Sequence, residues 1–128
     1  MADRGQAIAA TEEIAPVDDR AAEVVGNAFL ELYALRARSR ATQHRLAAGG
    51  TLGAETSIEK VLLATAEQTT YDAVRRLLSG IVEMDDSVAG ETWRGEYLYS
   101  RASTIYGGTA EVQRNIIARR LLELGSGE

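Results

Sequence analysis

The sequence predicts an all-α protein, an antiparallel helical bundle. Apolar residues recur at three- and four-residue steps over long stretches, the period of a helix buried on one face. No stretch alternates apolar and polar residues as a half-buried strand does. The apolar content, 45% of 128 residues, is mostly Ala, Leu, Val and Ile, with a single Pro, a composition that suits helix-on-helix packing.

Residues 1–15 are small and polar and predict a loose leader. Pro16 followed by Asp18 and Asp19 is a helix-start signal. A first helix is expected over 18–48, with Val24, Val25, Ala28, Phe29, Leu32 and Leu35 on one stripe and Gly49–Gly50 as its stop. At 1.5 Å per residue it spans roughly 46 Å, a length typical of bundles. Thr56 with Glu59 three residues on reads as a capping box for a second helix. Its expected inward face is Ile58, Val61, Leu62, Thr65, Ala66, Thr69, Ala73 and Leu77, and Ser79–Gly80 ends it. Residues 81–91, with Asp85, Asp86 and Gly90, predict a loop. A shorter third helix is expected over 92–103, carrying Trp93 and Tyr97 on one side. The fourth runs from Ala110 to about Leu124, with Val112, Ile116, Ile117, Leu121 and Leu124 facing inward and Gly125 as the stop. The expected layout is a leader over 1–15, a helical domain over 16–125 and a tail over 126–128.

Charge and composition exclude several functions. Fourteen basic residues stand against 19 acidic ones, a net charge of −5, so no basic face for a nucleic acid is expected. Arg36, Arg38, Arg40 and Arg45 fall late in the first helix, where cations complement the dipole, and read as a solvated face. The absence of Cys removes disulfides and thiolate chemistry. His44, the one histidine, sits among Arg and Gln, which suits neither a transition-metal site nor a Ser–His–Asp arrangement. Asp85–Asp86 lacks the spaced oxygens of a calcium loop. No apolar run reaches membrane-spanning length, and Met1–Ala15 lacks the pattern of a secretory signal. A cytoplasmic location is the resulting expectation.

The most informative stretch is Ile105–Arg119, read as Ile-Tyr-Gly-Gly-Thr-Ala-Glu-Val-Gln-Arg-Asn-Ile-Ile-Ala-Arg. Gly107 and Gly108 permit positive φ or close approach of a ligand to the backbone. Thr109 can cap the helix that follows, with Glu111 in its first turn. Free amides at such a helix start suit a carbonyl oxygen or a phosphate. From the spacing alone, a connection between helices with glycines for steric reasons remains the alternative.

This run resembles the C-terminal signature of the acyl-CoA dehydrogenases, flavoenzymes that introduce a double bond next to a thioester. Leu52–Val61 is similar to the family's Glu-x-Ser-x-x-Lys helix start, and residues 20–49 to the helix before it. The resemblance covers about residues 18–124. It implies the family's C-terminal helical bundle, which also builds the tetramer core, but without that bundle's first helix. The flavin-holding domains of the family do not fit within the residues before the match, so a fragment, a split-gene product or an isolated domain is expected.

The resemblance also implies site residues. Many members carry the catalytic Glu base directly after the signature Tyr; here that position is Gly107, so no catalytic residue is expected in this chain and the chain alone is expected to be inactive. One branch of the family carries the base on the helix that is missing here, and another pairs a catalytic subunit with a degenerate one. Tyr106, Gly107 and Gly108 are expected to line the acyl-CoA site, with the Gly107 amide on the thioester carbonyl. Thr109 and Glu111 are expected at the FAD phosphates or ribose. The family's Gln-x-x-Gly-Gly-x-Gly segment corresponds to Arg76–Val82, in which only Gly80 survives; Arg76 and Gly80 are the expected flavin contacts there. The expected partners are an acyl-CoA and other acyl-CoA dehydrogenase chains, as a homo- or hetero-oligomer with FAD shared between chains. The alternative is a non-catalytic bundle protein derived from the family that assembles without flavin.

Overall fold

The computed structural model describes residues 18–125; the expected leader over 1–15 and tail over 126–128 lie outside them. The described residues form four α-helices and a 3-10 turn, with no strand among them: α1 Asp19–Ala47, α2 Thr56–Leu77, α3 Val88–Ser100, the turn Arg101–Thr104, and α4 Ala110–Arg120. α2 is the hub, since α1, α3, the 3-10 turn and α4 all pack on it.

α1 follows its prediction to within a residue at each end. Asp18 accepts the Ala21 N–H at 2.7 Å and so satisfies one of the first-turn donors. At the other end Gly49, at φ +81°, takes the left-handed conformation that closes a helix. α1 and α2 run antiparallel. Near their connection Glu59 accepts from Thr42 and pairs with Arg38, while Arg45 pairs with Glu55.

The capping box at Thr56 is not formed. Thr56 is already helical, and its hydroxyl donates back to the Gly53 carbonyl at 2.9 Å. Backbone bonds from Thr56 to Gly53 and from Ser57 to Ala54 start the coil earlier, and the α1 side chains engage Glu59.

α3 starts four residues before its predicted position. Ser87 caps it by accepting the Gly90 N–H at 3.2 Å, and Asp85 accepts the Ser87 N–H at 2.8 Å. Gly90 lies inside the first turn because a Cβ there would collide with the Asp85 carbonyl. Arg94 then draws the preceding loop onto the helix, donating to the carbonyls of Val82 at 2.8 Å and Asp85 at 3.0 Å. The helix predicted to 103 ends at Ser100 and tightens into the 3-10 turn.

α4 ends at Arg120, short of the predicted Leu124. The chain unwinds through Leu121–Gly125, with the Leu122 and Leu124 amides still bonded to the carbonyls of Ile117 and Ala118.

The core is built from small side chains: Ala28 of α1, Ala64, Ala66 and Ala73 of α2, and Val82, together with Ser57, Ser100 and Ser103. On α2, Ala64 and Ser57 are buried where Thr65 and Leu77 were expected, and those two are exposed. Close approach of the helices buries Ala and Ser and turns larger residues outward. Phe29 and Leu30 are each 62% exposed, and Val25, Leu32, Val112, Leu121 and Leu124 are exposed too.

Candidate functional site

Two clusters gather the residues singled out in the sequence, one at each end of α2. The first is the bend between the 3-10 turn and α4. Gly107 and Gly108 lie at φ +68° and +95°, the left-handed region that favours glycine. A Cβ on Gly108 would stand 2.5 Å from the Gln113 side-chain nitrogen, so any larger residue here would have to displace the Gln113 amide. Thr109 caps α4 by accepting the Val112 N–H at 3.3 Å, as its sequence context predicts.

Among the described residues, neither the Gly107 nor the Gly108 N–H meets an acceptor, and the first-turn amides of Ala110 and Glu111 are free as well. Free amides at a helix start favour a carbonyl oxygen or an anion. The Glu111 side chain, in this turn, is exposed.

Tyr106 is fixed beside the bend by three neighbours. Its ring stacks on Tyr99 at 6.1 Å between centroids, the Lys60 ammonium lies 4.1 Å from its centroid, and its hydroxyl donates to Glu67 at 3.4 Å. Desolvation, with the Glu67 charge next in importance, raises the Tyr106 pKa above its ordinary value. The hydroxyl therefore stays protonated at neutral pH. The sequence reading missed Lys60 as a neighbour of this site, although the Glu-x-Ser-x-x-Lys resemblance contained it. Lys60 also donates to the Ser103 carbonyl at 2.9 Å.

The second cluster is an open basin of roughly 650 Å³ at the far end of α2, lined by residues that include Arg75, Arg76, Gly80 and Arg101. Arg75 pairs with Glu83, and Arg101 pairs with Asp72 at 3.4 Å while lying 4.6 Å from the Tyr97 ring centroid. The hydrogen bond from Arg75 holds the Glu83 carboxyl below its ordinary pKa. Arg76 is exposed and unpaired among the described residues, which leaves the basin one cation in excess. Gly80, at φ +85°, makes the tight turn below it, its carbonyl accepting the Met84 and Asp85 amides at 2.7 and 3.1 Å.

The structure thus brings Tyr106, Gly107, Gly108, Thr109 and Glu111 together and sets Arg76 and Gly80 apart from them. Lys60 and Arg76 are sixteen residues apart on one helix, roughly 24 Å along its axis. No helix among the described residues is long and apolar enough to cross a membrane, and none of their acidic or imidazole groups cluster as a metal site.

The four-helix architecture agrees with what comparison with known proteins finds. Residues 16–122 match the acyl-CoA dehydrogenase, C-terminal domain family, and the chain belongs to that family. It is 45% identical over 74 residues to acyl-CoA dehydrogenase IpdE1 of Mycolicibacterium smegmatis, covering 45% of this chain and 19% of that protein. It is also 59% identical over 34 residues to acyl-CoA dehydrogenase IpdE1 of Mycobacterium tuberculosis, covering 27% of this chain and 9% of that protein. The chain therefore spans less than a fifth of the length of these relatives. No solved structure gives a significant match.

The family is FAD-dependent. The donors present fit such a group in kind: free backbone amides beside Thr109 at one end of α2, and an unpaired guanidinium beside Gly80 at the other.

Proposed function

We propose that this chain supplies the C-terminal helical portion of an acyl-CoA dehydrogenase site and works beside chains or domains that hold the flavin. The observation that carries this reading is the free Gly107 amide on a left-handed bend next to Tyr106 and the capped start of α4. An amide held in that way is prepared to donate to a thioester carbonyl. Donors fixed against a developing enolate oxygen are worth about 3–4 kcal/mol each in comparable sites.

The role of each residue is the one that the resemblance implies for its position. Tyr106 and Gly108 line the acyl-CoA, and the Gly107 N–H polarises its carbonyl. Thr109 and Glu111 meet FAD phosphate or ribose at one end of α2, and Arg76 beside Gly80 meets an anionic part of a flavin dinucleotide at the other. The separation of the two clusters suits an extended dinucleotide or two molecules held by neighbouring chains. FAD, when bound, supplies the hydride acceptor. No carboxylate base stands after Tyr106, because residue 107 is glycine, so the chain alone lacks dehydrogenase activity. Assembly into a homo- or hetero-oligomer is part of this role and is supported by the apolar side chains exposed along α1.

The test is the visible absorption spectrum of the complex recovered from its own cells through a tag on this chain. A flavin band supports the reading. A colourless complex with no affinity for an acyl-CoA overturns it in favour of a structural bundle protein, a reading supported by the same exposed face of α1.

A further inference from the structure

We propose that Lys60 is a positioning residue that keeps the Gly107 amide free, an inference that rests on the reading of this bend as the thioester site. The argument starts from a count. Of fourteen basic residues thirteen are Arg, and Lys60 is the one Lys. It is half-buried on α2 and touches the bend at two points. Its ammonium donates to the Ser103 carbonyl at 2.9 Å and lies 4.1 Å from the Tyr106 ring centroid. Its Cε and Nζ stand 3.4 and 3.8 Å from where a Cβ of Gly107 would be.

The Ser103 carbonyl is the acceptor that matters. In a continuing α-helix the N–H of residue 107 would bond to the carbonyl of residue 103. Here the coil stops: the Ile105 and Tyr106 amides both bond to Ala102, and no backbone amide reaches Ser103. Lys60 takes that carbonyl instead. A charge-assisted bond to an ammonium competes well with a neutral amide. It satisfies an acceptor on a buried residue, Ser103 being 0% exposed, and so removes the reason for the Gly107 N–H to turn inward.

The remaining contacts fix the geometry. The cation–π contact holds the Tyr106 ring over the same ammonium. Gln113 accepts the task at the next peptide, donating to the Gly107 carbonyl at 3.0 Å. With the Ser103 carbonyl held by Lys60 and the bend tied to α4 through Gln113, the Gly107 amide has no acceptor among the described residues. An ammonium suits this position better than a guanidinium, because it is a compact head with rotatable donors.

The test reads the bend directly. In the full chain, labelled with nitrogen-15 and carbon-13, the Ser103 carbonyl and Gly107 amide resonances are compared between wild type and Lys60→Met. Lys60→Gln, which keeps a donor without the charge, serves as the second variant and decides the result if Lys60→Met does not fold. The expected result is a shift of both resonances in Lys60→Met with a smaller one in Lys60→Gln, and slower exchange of the Gly107 amide as it turns toward Ser103. Unchanged resonances in a folded variant overturn the proposal and leave the thioester reading standing.

A binding arm tests the underlying reading separately, using hexanoyl-CoA and the complex purified through this chain. Lys60→Met is expected to weaken binding about tenfold, the loss of one well-placed hydrogen bond, with Lys60→Gln recovering part of it. Failure of the wild-type complex to bind hexanoyl-CoA overturns the thioester reading and the positioning role with it.

Discussion

Gln113 donates its side-chain amide to the Gly107 carbonyl at 3.0 Å, so α4 holds the bend from which it starts. This contact and the Thr109 cap make the bend and the first turn of α4 a single hydrogen-bonded unit. Gln113→Ala is expected to destabilise the chain by about 0.5–1.5 kcal/mol and to loosen Gly107 and Gly108 before the rest of the fold. Hydrogen exchange of the bend against that of α2 checks this; uniform loosening of both would contradict it.

Gly108→Ala tests the steric part of the same unit. The added Cβ would meet the Gln113 nitrogen at 2.5 Å, at a φ of +95° that L-residues rarely adopt. A cost of about 1–3 kcal/mol is expected in denaturant unfolding, partly relieved when Gln113→Ala is combined with it. Strict additivity of the two substitutions would show that the clash is not the cause.

Gly107→Glu restores a carboxylate at the place where many family members carry one. The Cβ would sit at ordinary contact distance from Lys60, 3.4 Å from its Cε, so the cost is that of a left-handed residue, about 1–2 kcal/mol. The variant is expected to fold and, by itself, to remain without dehydrogenase activity. Turnover of an acyl-CoA with an artificial electron acceptor by the variant chain alone would reverse the assignment of the flavin to other chains or domains.

Acid is expected to weaken the entry to α3. The Asp85 side chain accepts from Ser87, and this bond lowers its pKa below the ordinary value of 3.8. A depressed folded value means that the stabilisation is present above pH 3.8 and is lost as pH falls through the lower folded value. Asp85→Asn keeps an acceptor and removes the titration. Its stability should therefore fall less steeply below that pH than the wild type's, as thermal unfolding across a pH series will measure.

The outward apolar residues of α1 predict concentration-dependent behaviour. Phe29 stacks on Tyr33 at 6.1 Å, and both residues are 62% exposed. Sedimentation should show self-association, and the unfolding midpoint should rise with protein concentration. A monomer whose midpoint is independent of concentration would rule this out.

The legible part of the fold was local. The Asp18 cap and the paired glycines after α1 mark their helix ends in the sequence, and Thr109 does the same for α4. The start of α3 was hidden because Gly90 reads as a breaker; its reason for being glycine is the Asp85 carbonyl pressed against it, which is a tertiary fact. The leucines at 121, 122 and 124 carry helical propensity past Arg120, yet the chain unwinds there. Periodicity chose the face of α2 but only part of that of α1, where Ala28 is buried and Val25, Phe29 and Leu32 are exposed; nor did it set depth, since Ala64 and Ser57 are buried and Leu77 is not. For the candidate site, the bend and its cap could be read from Gly-Gly-Thr. The contact of Lys60 with Ser103, forty-three residues away in sequence, could not.

Because both clusters hang from α2, the helix acts as a ruler between them. One residue inserted or deleted between Lys60 and Arg76 would shift one cluster by about 1.5 Å and rotate it by about 100° around the axis relative to the other. Insertions in the connection between α1 and α2, residues 48–55, carry no such penalty, since that segment lies outside both clusters. The chain can therefore vary in length at that connection while the spacing between the two ends of α2 stays fixed in steps of whole residues.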